Sequence, residues 1–164
     1  MTASLGEWDE TPDELDSQTR AEAEPPRLFY GSVDEFVRDH LRWVYRRRVG
    51  DRAQWRWAAQ WWRYDEAVER LEALWRAWEH LRLDPALGMS VWWRDHADPH
   101  MTALLDPDGP FAGVEGEENV NKRGEPLPYQ APPAGLFPDV RQVPAVSPQP
   151  SPAAPESGWG VLRT

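Results

Sequence analysis

The densest group of potential metal ligands in the sequence lies at residues 95–100, which read Asp-His-Ala-Asp-Pro-His. Two histidines four residues apart on one helix can face the same metal ion, and Asp98 would supply a third donor. Pro99 argues against this, because an Asp-Pro pair is typical of a helix start and would leave His96 outside the helix. His96, His100 and Asp98 are therefore weak metal candidates, with capping or hydrogen-bonding in a turn as the alternative. No cofactor is predicted.

Arg38, Arg42 and Arg46 recur every four residues along the first predicted helix, and Arg47 and Arg48 follow in its last turn. This spacing predicts a basic stripe, with Trp43 beside it, that could contact the phosphates of a nucleic acid. The alternative is a solvated face that pairs with an acidic helix. A formal net charge of −10 argues against strong nonspecific binding of nucleic acid by the whole chain.

Nine of the eleven tryptophans lie between residues 28 and 114. Each can bury about 150–250 Å², so most are expected in the core. Within the predicted second helix, Trp57 and Trp61 share one side, whereas Trp55 and Trp62 lie on another. A helix that is apolar on two sides is either central in a bundle or bound to a partner. Trp55 and Trp62 are therefore the candidate anchors of a surface that binds another protein or a second copy of the chain.

No catalytic motif is evident. The chain has no cysteine, which excludes disulfides and thiol chemistry. No nucleophile elbow, phosphate-binding loop, dinucleotide fingerprint or carboxylate pair is present either. We therefore expect a non-enzymatic protein-interaction or assembly module, with nucleic-acid binding through the arginine stripe as the alternative function.

Periodicity and capping residues predict an all-α fold, a small bundle of three main helices with one or two short ones. The first helix starts at a capping box, Ser32 to Glu35, and is expected to reach residue 48 before Gly50. The second spans residues 52–62. The third follows Asp65, places apolar residues on one arc, and ends before Pro85.

Two shorter segments follow the third helix. Residues 90–94 form either a brief helix or an extended piece, of which helix is favoured. A separate short helix is predicted to start at Asp98, with Pro99 in its first turn. Phe111 is expected to fold back onto the core.

Composition divides the chain into three zones. Residues 1–27 are predicted to be a disordered acidic arm, residues 28–114 a Trp-rich helical domain, and residues 115–164 a disordered Pro-rich tail. The tail is either a spacer or a ligand for aromatic grooves. The sequence has no run of 18 apolar residues and no apolar signal region at its start, so a cytoplasmic protein is expected, with no membrane partner.

Two stretches of the predicted domain resemble a family of small actinobacterial domains of unknown function. The first is Trp-Ala-Ala-Gln-Trp-Trp at residues 57–62 with the helix at residues 66–79. The second is Gly-Met-Ser-Val-Trp-Trp-Arg-Asp-His at residues 88–96, continued by residues 98–101 and 109–111. The resemblance covers about residues 28–114 and neither tail. It implies a chromosomal, plasmid or phage setting and no established activity.

The chain departs from that family pattern at three positions. The resemblance implies cysteine, histidine and cysteine where this sequence has Ala58, Tyr64 and Val114. If relatives use those side chains to bind metal, part of the ligand set is missing here. The departure weakens the metal hypothesis further.

Overall fold

Three helices form the framework of the computed structural model, which describes residues 27–142. They are α1 (residues 33–44), α2 (Asp65–Leu81) and α3 (residues 88–105), and short 3₁₀ turns lie at Trp61–Arg63 and Glu117–Asn119. Residues 27–142 contain no β-strand, which agrees with the predicted all-α class. No helix within this range has both the length and the apolar character needed to cross a membrane. Residues 1–26 and 143–164, for which disorder is predicted, lie outside the described residues.

Helix α1 begins where the sequence predicts and ends earlier. The Ser32 hydroxyl accepts a hydrogen bond from the Glu35 N–H at 3.1 Å, whereas the Glu35 carboxylate accepts from the Gly31 N–H rather than from that of Ser32. The helix comprises Val33–Phe36, a π-helical stretch Val37–Leu41, and Arg42–Val44. Tyr45 then leaves the helical region with φ −101° and ψ 61°. The prediction of helix to residue 48 is wrong because tertiary contacts bury Tyr45.

Residues 52–62 do not form the predicted second helix. Their backbone groups find distant partners: the Arg56 N–H donates to the Leu105 carbonyl, and the Ala59 N–H donates to the Asn119 side chain. Trp57 and Trp61 are fully buried. The tryptophans that suggested a two-sided helix instead belong to an irregular segment that is covered by other parts of the chain.

Helix α2 confirms the third predicted helix and packs against both α1 and α3. Its inner face buries Ala67, Leu71, Leu74 and Trp75, as the predicted arc requires. On its outer face Glu66 and Arg70, four residues apart, form an ion pair at 2.8 Å. Arg76 lies over the ring of Trp75 at 4.0 Å instead of pairing with Glu72.

Helix α3 is one continuous helix rather than two short segments. It comprises Gly88–Val91, a π-helical stretch Trp92–Ala97, and Asp98–Leu105. The residues at 90–94 are therefore helical, as favoured, but Asp98 does not start a helix. Pro99 has no N–H to donate to the preceding turn, and the widened π-helical turn before it accommodates that loss.

The folded region continues past the predicted boundary at residue 114. Residues 115–142, the C-terminal segment of the described structure, run in an irregular path over α1 and the 49–62 region. Leu127 in this segment is fully buried, and its N–H donates to the Arg42 carbonyl at 3.1 Å. The prediction of disorder from residue 115 to 142 is therefore wrong, because this Pro-rich stretch is held by hydrogen bonds to distant segments.

Candidate nucleic-acid interface

The first two arginines of the predicted stripe are engaged within the fold. Arg38 forms ion pairs with Asp34 at 3.2 Å and with Asp39 at 2.8 Å. The Arg42 Nε donates to the Leu127 carbonyl at 3.0 Å, and burial lowers the pKa of this guanidinium. Arg38 is thus neutralised locally and Arg42 holds the C-terminal segment in place.

The remaining cations belong to a larger exposed group, which we call the basic cluster. Its members come from two parts of the chain separated by about 70 residues and are all solvent-exposed. They are Arg46, Arg47, Arg48, Arg52, Lys122 and Arg123. None of the six forms an ion pair with a carboxylate of residues 27–142.

Four members of the basic cluster surround one open cleft of about 750 Å³. Arg48 and Arg52 line it from one segment, and Lys122 and Arg123 from the other. Asp51 and Glu117 also line the cleft, so its side chains carry a formal charge of 4 − 2 = +2. An exposed, positively charged concavity of this kind attracts a polyanion.

Asn121 is the residue that brings the two halves of the basic cluster together. Its side-chain oxygen accepts from the Val49 N–H at 2.8 Å, and its amide nitrogen donates to the Arg47 carbonyl at 2.9 Å. The same nitrogen lies 3.0 Å from the Pro126 carbonyl oxygen. Asn121 is buried, so these bonds are shielded from water. The cleft therefore exists only when the C-terminal segment is in place.

An aromatic stack supports one side of the basic cluster. The guanidinium of Arg47 lies 4.4 Å from the centre of the Tyr45 ring, and Tyr45 stacks against Trp93 at 5.9 Å. The Tyr45 hydroxyl donates to Asp98 at 3.2 Å. Burial, followed by the nearby Asp98 carboxylate, raises the pKa of Tyr45 above its ordinary value of 10.0. The stack fixes the backbone turn from which Arg46 to Arg48 project.

The predicted protein-binding anchors Trp55 and Trp62 are half-buried and pack against the core. The Trp62 indole N–H donates to the Gln130 carbonyl at 3.2 Å. They do not share a helix, because residues 52–62 are irregular. Among the described residues the more exposed tryptophans are Trp43 and Trp93.

The weak metal candidates are not assembled into a site. His96, Asp98 and His100 all belong to α3, and Asp98 accepts the hydrogen bond from Tyr45. Burial lowers the pKa of His100, with smaller contributions from Arg70 and His96. Residues 27–142 hold no group of three or more His, Cys, Asp or Glu side chains that could bind a metal ion.

The three positions at which the chain departs from the family pattern lie around a second cleft. Ala58, Tyr64 and Val114 all line this concavity of about 460 Å³, together with Asn119. In this chain they contribute a methyl group, a phenol and an isopropyl group, which are not the ligands that zinc prefers. Sequence positions 58, 64 and 114 are thus neighbours in space.

Sequence reasoning missed four residues that belong to this surface or hold it together. Arg52, Lys122 and Arg123 complete the basic cluster, and Asn121 joins its halves. Lys122 and Arg123 follow Asn121 directly in a stretch assigned to the tail by its proline content. In the sequence they are a basic pair inside an acidic segment. Only the fold shows that this pair lies next to Arg48 and Arg52.

Comparison with known proteins adds one assignment. No curated protein and no solved structure matches the chain. The profile of the family described as Domain of unknown function (DUF4913) matches residues 30–133, which includes most of the C-terminal segment that the structure shows packed on the helices. The chain therefore belongs to the DUF4913 family of domains of unknown function.

Proposed function

We propose that this chain is a non-enzymatic module that binds nucleic acid through the basic cluster. The observation that carries the proposal is the set of four cations around one cleft, Arg48, Arg52, Lys122 and Arg123, none of which forms an ion pair with a carboxylate of residues 27–142. Phosphate contacts by arginine and lysine dominate the affinity of proteins for nucleic acids. The aromatic side chains beside the cluster are also typical of such surfaces.

The charge distribution supports this proposal better than the net charge of the chain does. Residues 27–142 carry 16 basic and 19 acidic side chains, a near-neutral balance of 16 − 19 = −3. The acidic groups on α2, such as Glu66 and Glu69, lie on a different element from the basic cluster. A local positive surface can therefore act although the whole chain is acidic.

The test is the double variant Arg48→Ala/Arg52→Ala, measured by fluorescence anisotropy with labelled oligonucleotides. Neither side chain makes a hydrogen bond within residues 27–142, so the fold should be retained. We expect affinity to fall about tenfold, and the dependence of log K on log salt between about 50 and 200 mM to lose about two units of slope.

The matched control is Arg63→Ala/Arg94→Ala, which removes the same charge from exposed positions outside the basic cluster. Equal losses in both double variants would show that only net charge matters and would contradict the proposed site. Absence of any salt-dependent binding by the full-length chain would contradict the function itself.

A second candidate function is association with another protein or with a second copy of this chain. Trp55 and Trp62 favour it, because both keep part of their surface exposed while packing on the core. We propose that Trp55→Ala or Trp62→Ala weakens such association without unfolding the domain, whereas Trp75→Ala unfolds it. Light scattering over a concentration series, with thermal melts, distinguishes these outcomes.

We further infer an actinobacterial setting, on a chromosome, plasmid or phage. The family resemblance supports it, as does the use of arginine for 17 of the 18 basic residues, which is typical of GC-rich codon usage. The chain's own tryptophans and arginines support a Trp- and Arg-rich character for relatives. We also propose the cytoplasm as the compartment, because the sequence has no run of 18 apolar residues.

A further inference from the structure

Trp43 is an exposed indole held in a fixed position next to the basic cluster. It lies in the last turn of α1 and is 47% exposed. Its indole N–H donates to the Arg38 carbonyl at 3.0 Å, so the polar edge of the ring is satisfied within the helix. The ring is not among those packed against the core. A large apolar surface is therefore presented to solvent in a defined orientation.

Arginine side chains connect Trp43 to the rest of the basic cluster. The guanidinium groups of Arg42 and Arg46 lie 5.2 and 5.9 Å from the centre of the indole ring. Arg46 also donates to the Trp43 carbonyl at 2.8 Å and to the Gly124 carbonyl at 3.2 Å, directly beside Arg123. The indole and the cationic cleft thus form one continuous surface.

This combination has a specific chemical use. Every nucleobase has a π-face that can stack on an indole, and the adjoining phosphates can bind the arginines that lie over part of the same ring. In a duplex the bases are already stacked on each other, so the duplex offers phosphates but no free base face. An exposed aromatic ring beside a cationic groove therefore favours unpaired strands.

We infer that Trp43 is a stacking platform through which the basic cluster selects single-stranded over double-stranded nucleic acid. This inference rests on the proposed function. The phosphates lie against Arg46, Arg48 and Arg123, and one base of the bound strand lies on the Trp43 ring.

The test compares Trp43→Leu with the parent chain on three probes of equal length: a single-stranded thymidine oligomer, a duplex, and an abasic oligomer that keeps the phosphates. We expect the variant to bind the thymidine oligomer about tenfold more weakly and the duplex and the abasic oligomer unchanged. Trp43→Phe keeps a ring and should retain most of the affinity. Phe29→Leu, at an exposed aromatic residue away from the cluster, is the matched control and should have no effect.

The outcomes separate the two proposals. If the parent chain binds none of the probes, the proposed function fails and the stacking inference fails with it. If the parent binds duplex and single strand alike, or if Trp43→Leu lowers all three affinities equally, the stacking inference is overturned while binding by the basic cluster stands.

Discussion

At the residue scale, the side chain of Glu79 joins the first described residues of the chain to helix α2. It is 5% exposed on α2, yet its carboxylate is satisfied by three distinct partners. It accepts from the Phe29 N–H at 2.9 Å, from the Tyr30 N–H at 2.7 Å, and from Arg82 Nε at 2.8 Å. The start of the described chain is thereby attached to the end of α2.

We expect Glu79→Ala to lower the free energy of unfolding by about 3 kcal/mol, because it leaves the buried Tyr30 N–H, the partly buried Phe29 N–H and a partly buried guanidinium without their acceptor. Urea denaturation followed by tryptophan fluorescence measures the change. Glu72→Ala, at an exposed position of the same helix, should change it by less than about 0.5 kcal/mol. Similar effects of the two substitutions would show that Glu79 is not a structural anchor.

His40 is surrounded by aromatic rings, and this environment makes the stability of the fold depend on pH. Trp78 lies 5.0 Å away between ring centres, Phe36 5.4 Å, Tyr30 5.9 Å and Trp92 6.2 Å. Burial lowers the pKa of His40 below its ordinary value of 6.5. The folded state therefore resists protonation of this imidazole.

The sign of the resulting pH dependence follows from proton linkage. Well above pH 6.5 the imidazole is neutral in the folded and the unfolded state, so it does not affect the free energy of unfolding. Below pH 6.5 the unfolded chain binds the proton more readily than the folded chain. The free energy of unfolding therefore decreases as the pH is lowered, until the pKa of His40 in the folded state is reached. We expect the melting temperature to fall on acidification from about pH 7.5 to about pH 5.5, and less so in His40→Phe. Parallel curves for the two proteins would contradict this role. His100, with a pKa lowered in the same direction, accounts for part of the remaining slope.

At the scale of elements, the C-terminal segment is an integral part of the fold. The Trp57 indole N–H donates to the Pro128 carbonyl at 2.9 Å, and the Gln130 N–H donates to the Ala59 carbonyl at the same distance. The Tyr129 hydroxyl donates to Asp34 at 2.8 Å, and burial together with this carboxylate raises the pKa of Tyr129 to about 12. Proline-rich chain can pack in this way because its carbonyls still accept hydrogen bonds.

Truncation tests this element directly. A chain ending at residue 114 would expose the site of Leu127 and leave Trp57 without its acceptor, so we expect it to lose cooperative unfolding. A chain ending at residue 142 keeps every contact described and should melt like the full-length protein. Circular dichroism during heating measures both. Cooperative unfolding of the shorter chain at an unchanged temperature would show that the segment contributes no stability.

The difference between local signals and long-range contacts explains which elements could be predicted from sequence. The α1 start and all of α2 were predictable because capping by Ser32 and the periodic apolar residues of α2 are local signals. Residues 52–62 and 115–142 were not, since backbone groups in both bond to partners far along the chain, 49 residues away between Arg56 and Leu105 and 85 between Leu127 and Arg42. Arg46 to Arg48 were evident in the sequence, whereas Lys122 and Arg123 join them through long-range bonds made by Asn121 and by Arg46 to Gly124.

At the scale of the whole molecule, charge is distributed unequally along the chain. Residues 1–26 hold eight acidic residues and one arginine, a net charge of 1 − 8 = −7. The basic cluster carries six cations, so the acidic arm is electrostatically complementary to it. We therefore expect residues 1–26 to compete with a polyanion for the basic cluster.

We expect a chain lacking residues 1–26 to bind single-stranded oligonucleotide several-fold more tightly than the full-length protein at about 50 mM salt, and the difference to shrink as salt screens the arm. Titrations at two salt concentrations measure this. A full-length variant with the eight acids replaced by their amides should match the truncated chain, which separates charge from length. Unchanged or weaker binding by both would contradict competition.

The Asn121 contacts have a consequence for residues near Gly124, which a bound strand would protect from proteolysis and from hydrogen exchange. A strand bridging Arg48 and Arg123 would hold residues 47–52 against residues 121–126, since Asn121 joins those segments through its side chain and through a backbone bond from its N–H to the Val49 carbonyl. Ligand that binds only the closed arrangement slows its opening. Proteases would then cleave the peptide bonds near Gly124 more slowly, and the amides there would exchange hydrogen more slowly. Either measurement would detect binding at a loop that the strand itself need not cover.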